Sequence, residues 1–431
     1  MGTTGGGQAG ADDSIFARPW IQLVLGIICM AAVANLQYGW TWFVDPINAK
    51  YHWGRPEIQW AFTLFVIIET WLVPVEGYLV DRFGPRPVVM AGAVLVAIAW
   101  VMNSMASSLL ILYVGAAVGG VGVGSVYGTC VGNALKWFPR NRGVAAGFTA
   151  MGFGIGAAFT VDPIKHMIDT AGYEHAFLFF GLLQGGIVLV MATGLLVAPP
   201  ALLALAPKRN QAGRNFAPAQ VLRSPCFWVM YVMFVLVASG GLTMAASIAS
   251  IAKDFKIDKV PVELLWIGGP AAALAVKLNR VFDGVGRPFF GWVSDHIGRE
   301  NTMAIAFLIG AGALYSLAQS GTNPLAFVLL TALYFGVFGE IYSLFPATQG
   351  DTFGSQYAAA NSGLLYTAKG VGSILAPSAA ALAAASSWRQ VFMIGVGCNM
   401  AAAALGLFVL KPIRARHLQQ TRASADSVAA H

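Results

Sequence analysis

The chain has 431 residues, 57% of them hydrophobic and only 10% charged, with a formal net charge of +7. Soluble domains carry about 25% charged residues, and the apolar residues here fall into runs of about 20, the length that crosses a ~30 Å hydrocarbon layer. This excludes a soluble enzyme and makes an all-α polytopic membrane protein the expected fold class.

Residues 1–18 read as a Gly-rich, polar N-terminal tail without the basic stretch that opens a cleavable leader. The first apolar run, Trp20 to Val44, is too long for such a leader and is expected to stay in the membrane. With the later runs it gives twelve expected helices, centred near residues 32, 68, 97, 121, 153, 185, 238, 276, 309, 333, 372 and 400. The most polar interval, KRNQAGRNFAPAQVLRSP at 207–224, follows the sixth. The expected organisation is therefore a six-helix bundle over 19–200, a linker over 201–224, a second bundle over 225–411 and a tail over 412–431. Gly120, Gly124 and Gly128 are four apart, as are Gly152 and Gly156, the spacing that lets membrane helices approach closely. No strand precedes these glycines, so a nucleotide-binding loop is a poor match. The four cysteines lie singly in separate runs and the six histidines are scattered, so no disulfide, metal or cofactor is expected.

With both chain ends placed in the cytoplasm, fifteen of the 26 Lys and Arg residues fall inside and seven outside, the bias that orients membrane proteins. The positive surplus is then topological, and no nucleic-acid partner is needed. The loops after the second and eighth helices repeat one pattern, G-x-x-x-D-x-x-G, in GYLVDRFGPRP (77–87) and GWVSDHIGRE (291–300). Such a repeat predicts two similar halves around a central site. Asp81, Arg82, Gly84 and Arg86 in one copy, and Asp295, Gly298 and Arg299 in the other, are the candidate conformational loops.

The stretch KLNRVFDGVGR (277–287) puts Lys277, Arg280, Asp283 and Arg287 into an otherwise apolar helix. At ~100° per residue all four fall within a sector of about 120° and spread along roughly 15 Å of axis. That face is expected to look into the protein, since lipid-facing charges are rare. Lys369 stands alone in LLYTAKGVGSILAP. Arg280 and Asp283, three apart, could neutralise one another, and Lys277 could snorkel to water. Arg287 and Lys369 lack an equally close acidic partner; Glu340 and Glu69 could pair with them in space, and otherwise they await an anion. Guanidinium grips carboxylate with a planar fork and ammonium acts as a point charge, so two cations on two helices suit a small dicarboxylate.

These motifs resemble the major facilitator superfamily and, within it, the bacterial oxalate:formate antiporter family. The resemblance rests on LQYGWTWFVDP (36–46), VGVGSVYG (121–128), KWFPRNRGVAAGFTAMGFGIG (136–156), GRPFFGWVSDHIGR (286–299), IYSLFPATQGDTFG (341–354) and YTAKGVGS (366–373). It implies two pseudo-symmetric six-helix bundles, a bacterial cytoplasmic (inner) membrane location and a monomer that needs no cofactor. It also implies exchange of oxalate inward for formate outward by alternating access. It places Arg287 and Lys369 on opposite sides of the pocket, lined by Gln37, Tyr38, Tyr127 and Tyr342. Phe153 and Phe338 depart from the family's pattern, standing where Tyr and Trp are expected. With both cations unpaired, an empty closed pocket would strand buried charge, so exchange is expected to dominate over net flow. The spacing Asp283-x-x-x-Arg287 is also similar to that of the monocarboxylate transporters, which implies the alternative of a proton-coupled lactate or pyruvate symporter.

Overall fold

The computed structural model describes residues 15–203, 212, 214–264, 267–385 and 387–429. Residues 1–14 of the expected N-terminal tail, 204–211 and 213 of the expected linker, and 430–431 lie outside them. In chain order the helices are α1 (Pro19–Val33), α2 (Asn35–Tyr38), α3 (Thr41–Tyr51), α4 (Arg55–Trp71), α5 (Val73–Phe83), α6 (Pro85–Ser104), α7 (Leu109–Trp137), α8 (Arg142–Ala171) and α9 (Tyr173–Thr193). The short α10 (Pro200–Leu203) and α11 (Pro218–Val221) precede α12 (Pro225–Asp254), α13 (Ala271–Ile297), α14 (Arg299–Ser320), α15 (Pro324–Phe338), α16 (Ile341–Phe353), α17 (Ala358–Ala385), α18 (Trp388–Ala404) and α19 (Lys411–Ala429).

Helical structure thus covers all twelve expected positions, although several spans are broken. Among the described residues nine helices are long and apolar enough to cross a membrane, or ten when α4 and α5, bent by 43°, count as one. The bend falls at Leu72, two residues before Pro74, whose ring cannot continue the preceding hydrogen-bond ladder. The charges of 277–287 lie on α13, which passes no such test of apolarity. Two features differ from expectation. An antiparallel hairpin, β1 (Pro261–Leu264) with β2 (Ile267–Pro270), sits between α12 and α13, pairing Val262 with Gly269. The expected tail from 412 is helical, forming α19, and its Arg414 is buried, bonding Glu300 at 2.6 Å and the Thr352 hydroxyl at 2.7 Å.

Glycine spacing sets how the helices meet. Added Cβ atoms at Gly120 and Gly124 would come 2.7 Å from the carbonyl oxygens of Phe65 and Glu69, and one at Gly128 2.8 Å from Val73. The four-residue glycine stripe of α7 is therefore what lets α4 and α5 lie against it. Gly152 and Gly156 do the same for α8 against α1, at Ile27 and Ala31. The first-half helices pack on one another, as do those from α12 onward. The two sets meet where α13 runs along α8 and α17 runs along α4, α5 and α7.

The repeated loops lie at one end of this seam. Gly84 and Gly298 each end a helix with φ near +90 (86° and 95°), a conformation that glycine adopts without steric penalty. Each glycine then starts the next helix, α6 or α14. Asp81 pairs with Lys136 at 2.6 Å and accepts the Ala360 N–H at 3.2 Å, at the start of α17. Asp295 accepts the Gly143 and Val144 N–H groups at 3.3 and 3.1 Å, at the start of α8. Each repeated carboxylate thus caps a helix of the opposite half, where unpaired N–H groups and the helix dipole favour an anion.

Candidate functional site

Further along the seam from that loop end, α13 and α17 bring their cations to the first half. Arg287 is buried. Its Nη2 donates to Asp283 Oδ2 at 2.7 Å, one turn away on the same face, and its Nη1 donates to the Ala150 carbonyl of α8 at 2.7 Å. Its guanidinium lies 4.6 Å from the centre of the Tyr342 ring. Pro288 follows directly, and Gly147 of α8 fits against this turn: a Cβ there would sit 2.6 Å from the Arg287 carbonyl.

Lys369 is equally buried, and its three ammonium protons find three kinds of acceptor. Nζ is 3.2 and 3.3 Å from the two Glu69 carboxylate oxygens, 2.8 Å from the Tyr366 hydroxyl and 3.3 Å from Gln37 Oε1. The Tyr366 hydroxyl in turn donates to Glu69 Oε1 at 3.3 Å. Glu69 belongs to α4 and Lys369 to α17, so this ion pair crosses between the halves with both side chains almost wholly out of solvent (0% and 3% exposed). Opposite charges 3.2 Å apart attract by roughly 5 kcal/mol at an effective dielectric of about 20, largely offset by the desolvation of both ions.

Aromatic rings connect the two cations. Tyr127 stacks on Tyr366 at 4.6 Å and meets Phe153 edge-on at 5.4 Å; Phe153 also meets Tyr38 edge-on at 5.4 Å. Tyr342 contacts Tyr366 at 6.4 Å and Phe338 at 5.8 Å. The Tyr127 hydroxyl and Asp283 Oδ1 are buried without a hydrogen-bond partner. Such orphans are uncommon in a finished core and leave polar capacity for a guest. Seven residues from Arg287, away from the loop end, Arg280 lies 4.4 Å over the Tyr38 ring, another contact between the halves.

Every pocket residue anticipated from the sequence therefore belongs to this cluster: Arg287, Lys369, Gln37, Tyr38, Tyr127, Tyr342, Phe153 and Phe338. Three expectations about the charges are corrected. Asp283 pairs with Arg287, four residues on, and not with Arg280, which rests on an aromatic face instead. Neither cation is unpaired: Asp283 holds Arg287, and Glu69, one of the two glutamates named as possible spatial partners, holds Lys369. Glu340 is buried on the bend between α15 and α16, but neither of its oxygens has a hydrogen-bonding donor, so it does not partner Arg287. Lys277 is exposed on α13, in keeping with snorkelling. Tyr366 was not among the sequence candidates; its signal was its place three residues before Lys369, on the same helix face.

The loop-end candidates also fall into place. Arg299 bridges Asp295 at 2.7 Å and Asp351 at 2.9 Å, and Asp351 also takes Arg142 of α8 at 3.1 Å. Arg86 donates to the Leu195 carbonyl at 3.3 Å, and Arg82 is exposed beside the Phe83 ring. Among the described residues, no three His, Cys, Asp or Glu side chains are grouped to hold a metal ion.

Comparison with known proteins agrees with this architecture. The profile of the Major Facilitator Superfamily matches residues 23–377 and 278–429. The oxalate:formate antiporter of Oxalobacter formigenes is 31% identical over 98% of this chain and 99% of its own length. Monocarboxylate transporter 11 of Mus musculus is 26% identical over 64% of this chain and 65% of its own. Among solved structures, the proton:xylose symporter XylE matches with a TM-score of 0.70 at 13% identity, covering 91% of this chain and 96% of that one. The fucose:proton symporter FucP of E. coli matches at 0.63 and 15%, covering 90% and 98%. A broken-helix seam with a buried cation from each of two helices is thus built on the major facilitator fold, and the chain belongs to the major facilitator superfamily.

Proposed function

We propose that this transporter exchanges small carboxylates across the bacterial cytoplasmic membrane, oxalate inward for formate outward, by alternating access. The observation that carries the reading is the placement of Arg287 and Lys369 against one aromatic cluster, each already gripping a carboxylate. Asp283 and Glu69 stand where the two carboxylates of a dianion would stand. A substrate that takes their places keeps both cations paired, and the Tyr127 hydroxyl and Gln37 amide add hydrogen bonds that fix its orientation. The bundles 19–200 and 225–411 would rock about this cluster, with both chain ends and the Asp81 and Asp295 loops in the cytoplasm and the protein acting as a monomer.

The pairing alters the energetics expected from the sequence. An empty chamber holding two bare cations would resist closure; one holding two ion pairs does not. Charge alone therefore does not force strict exchange. Swapping a dianion for a monoanion also moves one negative charge inward, which a 100 mV inside-negative potential opposes by roughly 2.3 kcal/mol.

The test is counterflow of labelled oxalate in vesicles containing the purified protein, competed by formate, malonate, lactate and pyruvate. Oxalate and formate should compete best, and Arg287→Gln or Lys369→Gln should abolish counterflow. Normal oxalate exchange by either variant would remove that residue from the site. A second reading, proton-coupled monocarboxylate symport, is favoured by the 2.7 Å Asp283–Arg287 pair and by the monocarboxylate transporter relative. Lactate outcompeting oxalate would select it.

A further inference from the structure

The ion pair between Glu69 and Lys369 joins the two halves at the centre of the chamber, and the exchange reading gives no role to the Glu69 carboxylate once a substrate has taken its place. We infer that Glu69 is the resident counter-ion of Lys369, displaced when a substrate carboxylate binds there and protonated as the loaded chamber closes. This rests on the carboxylate reading of the site.

The argument is one of charge and position. With the carrier empty, Lys369 is matched by Glu69, the Tyr366 hydroxyl and Gln37. A substrate carboxylate needs the same ammonium. Once it binds, Glu69 keeps only the Tyr366 hydroxyl as a hydrogen-bond partner, and its negative charge sits beside that of the substrate. Among the described residues, no other cation reaches Glu69 from the elements packed against α4. From α17 come Lys369 and Tyr366; from α7, Tyr127; from α5, Glu76, a second carboxyl group that offers Glu69 no positive charge. On α3 the one described charged side chain, Lys50, is bound to Glu174 at 2.6 Å. Beyond Lys369, Arg287 is taken by Asp283 in the empty carrier and by the other substrate carboxylate in the loaded one. An extra unpaired carboxylate in a closed low-dielectric chamber is strongly disfavoured unless it takes a proton. The proton comes from the side on which substrate enters and leaves on the other, when Glu69 returns to Lys369. The empty carrier, with its pairs restored, is free to reset. This chain therefore moves protons with its substrate and supports net uptake, through a residue of the first half.

The experiment uses the full-length protein in vesicles with equal potassium on both sides and valinomycin, which holds the potential at zero. Net uptake and exchange of labelled oxalate are measured in the same preparation. In the wild type, acidifying the outside should accelerate net uptake about tenfold. Glu69→Gln should lose this acceleration, show a lower KM for oxalate exchange because the competing carboxylate is gone, and lower the ratio of net uptake to exchange about tenfold. A purely structural role for Glu69 would reduce both modes together and leave their ratio and the KM unmoved, and that result overturns the inference. The wild type alone also decides it, should the variant fail to fold: oxalate exchange without net uptake, or net uptake indifferent to the proton gradient, refutes it. No oxalate movement in either mode refutes the carboxylate reading itself.

Discussion

Neutralising Asp295 should open the loop end of the seam, and the size of the effect follows from which of its contacts cross between the halves. Its bond to Arg299 lies within the second half and survives any rocking motion, so it does not discriminate closed from open. The bonds that do are those from Gly143 and Val144 N–H, at 3.3 and 3.1 Å. Hydrogen bonds to a charged acceptor contribute about 1.5–3 kcal/mol each against about 1 for neutral ones, and the start of α8 adds ~0.3–1 kcal/mol of dipole attraction. Asp295→Asn keeps one acceptor oxygen and loses the charge, a loss of about 2–3 kcal/mol from the closed state alone. That shifts the closed-to-open ratio by roughly 30- to 150-fold. Spin labels at the exposed positions Phe83 and Ile297, one on each half beside the repeated loops, report the separation as a distance distribution. A marked gain in the long-distance population is expected. A distribution indistinguishable from that of the parent would show that these caps do not hold the closed state.

Arg287→Lys keeps the charge but not the fork that reaches both Asp283 and the Ala150 carbonyl; losing one charge-assisted bond should lower kcat/KM for oxalate exchange about 10- to 100-fold. Asp283→Asn leaves Arg287 short of its anion, so the KM for oxalate should fall severalfold. Collapse of proton-driven lactate uptake in that variant would support the symport reading instead. Gly147→Val pushes a side chain into the Arg287–Pro288 backbone and should separate α8 from α13, seen as a longer spin-label distance and a destabilisation of about 1–3 kcal/mol. Asp351→Asn takes the carboxylate from buried Arg142 and leaves Arg299 with Asp295 alone, and should lower stability to thermal unfolding by about 3–5 kcal/mol. Lys136→Gln takes the cation from Asp81, whose side chain is 4% exposed, but keeps an amide donor, and should lower it by about 1–3 kcal/mol.

The sequence showed most where the membrane constrains it. Apolar run length located all twelve helical positions, and glycine spacing foretold that α7 and α8 pack closely on their neighbours. The repeated G-x-x-x-D-x-x-G located the two capping carboxylates, because a helix that ends on a positive-φ glycine leaves the aspartate three residues earlier at the junction. Ion pairing was less legible, for a physical reason. Glu69 and Lys369 are 300 residues apart, and no local pattern connects them; only the docking of α4 on α17 does. Asp283 and Arg287, by contrast, are an i, i+4 pair visible in the sequence, but an i, i+3 neighbour, Arg280, competed for the same aspartate. Tyr38 settles that competition by taking Arg280 onto its ring. The hairpin at 261–270 escaped because its strands are four residues long with two glycines, too short for a period-two pattern to stand out.

The two copies of the repeat are not energetically equivalent, and the difference lies in what backs each carboxylate. Asp81 is backed by Lys136 of its own half, with 13% of the lysine side chain exposed. Asp295 is backed by Arg299, which is shared with Asp351, which is shared in turn with Arg142 across the seam. Arg142, Arg299 and Asp351 are buried and share their charges across the seam, so loss of Asp351 weakens two contacts at once, whereas Asp81 relies on a single, less deeply buried lysine. The α8–α13 side of the seam is therefore the stiffer closure. The α4–α17 side, which carries Glu69 and Lys369, is held at the loop end by a weaker clasp. A carrier that must release one ion pair to admit its substrate gains from having that pair on the side that parts more readily.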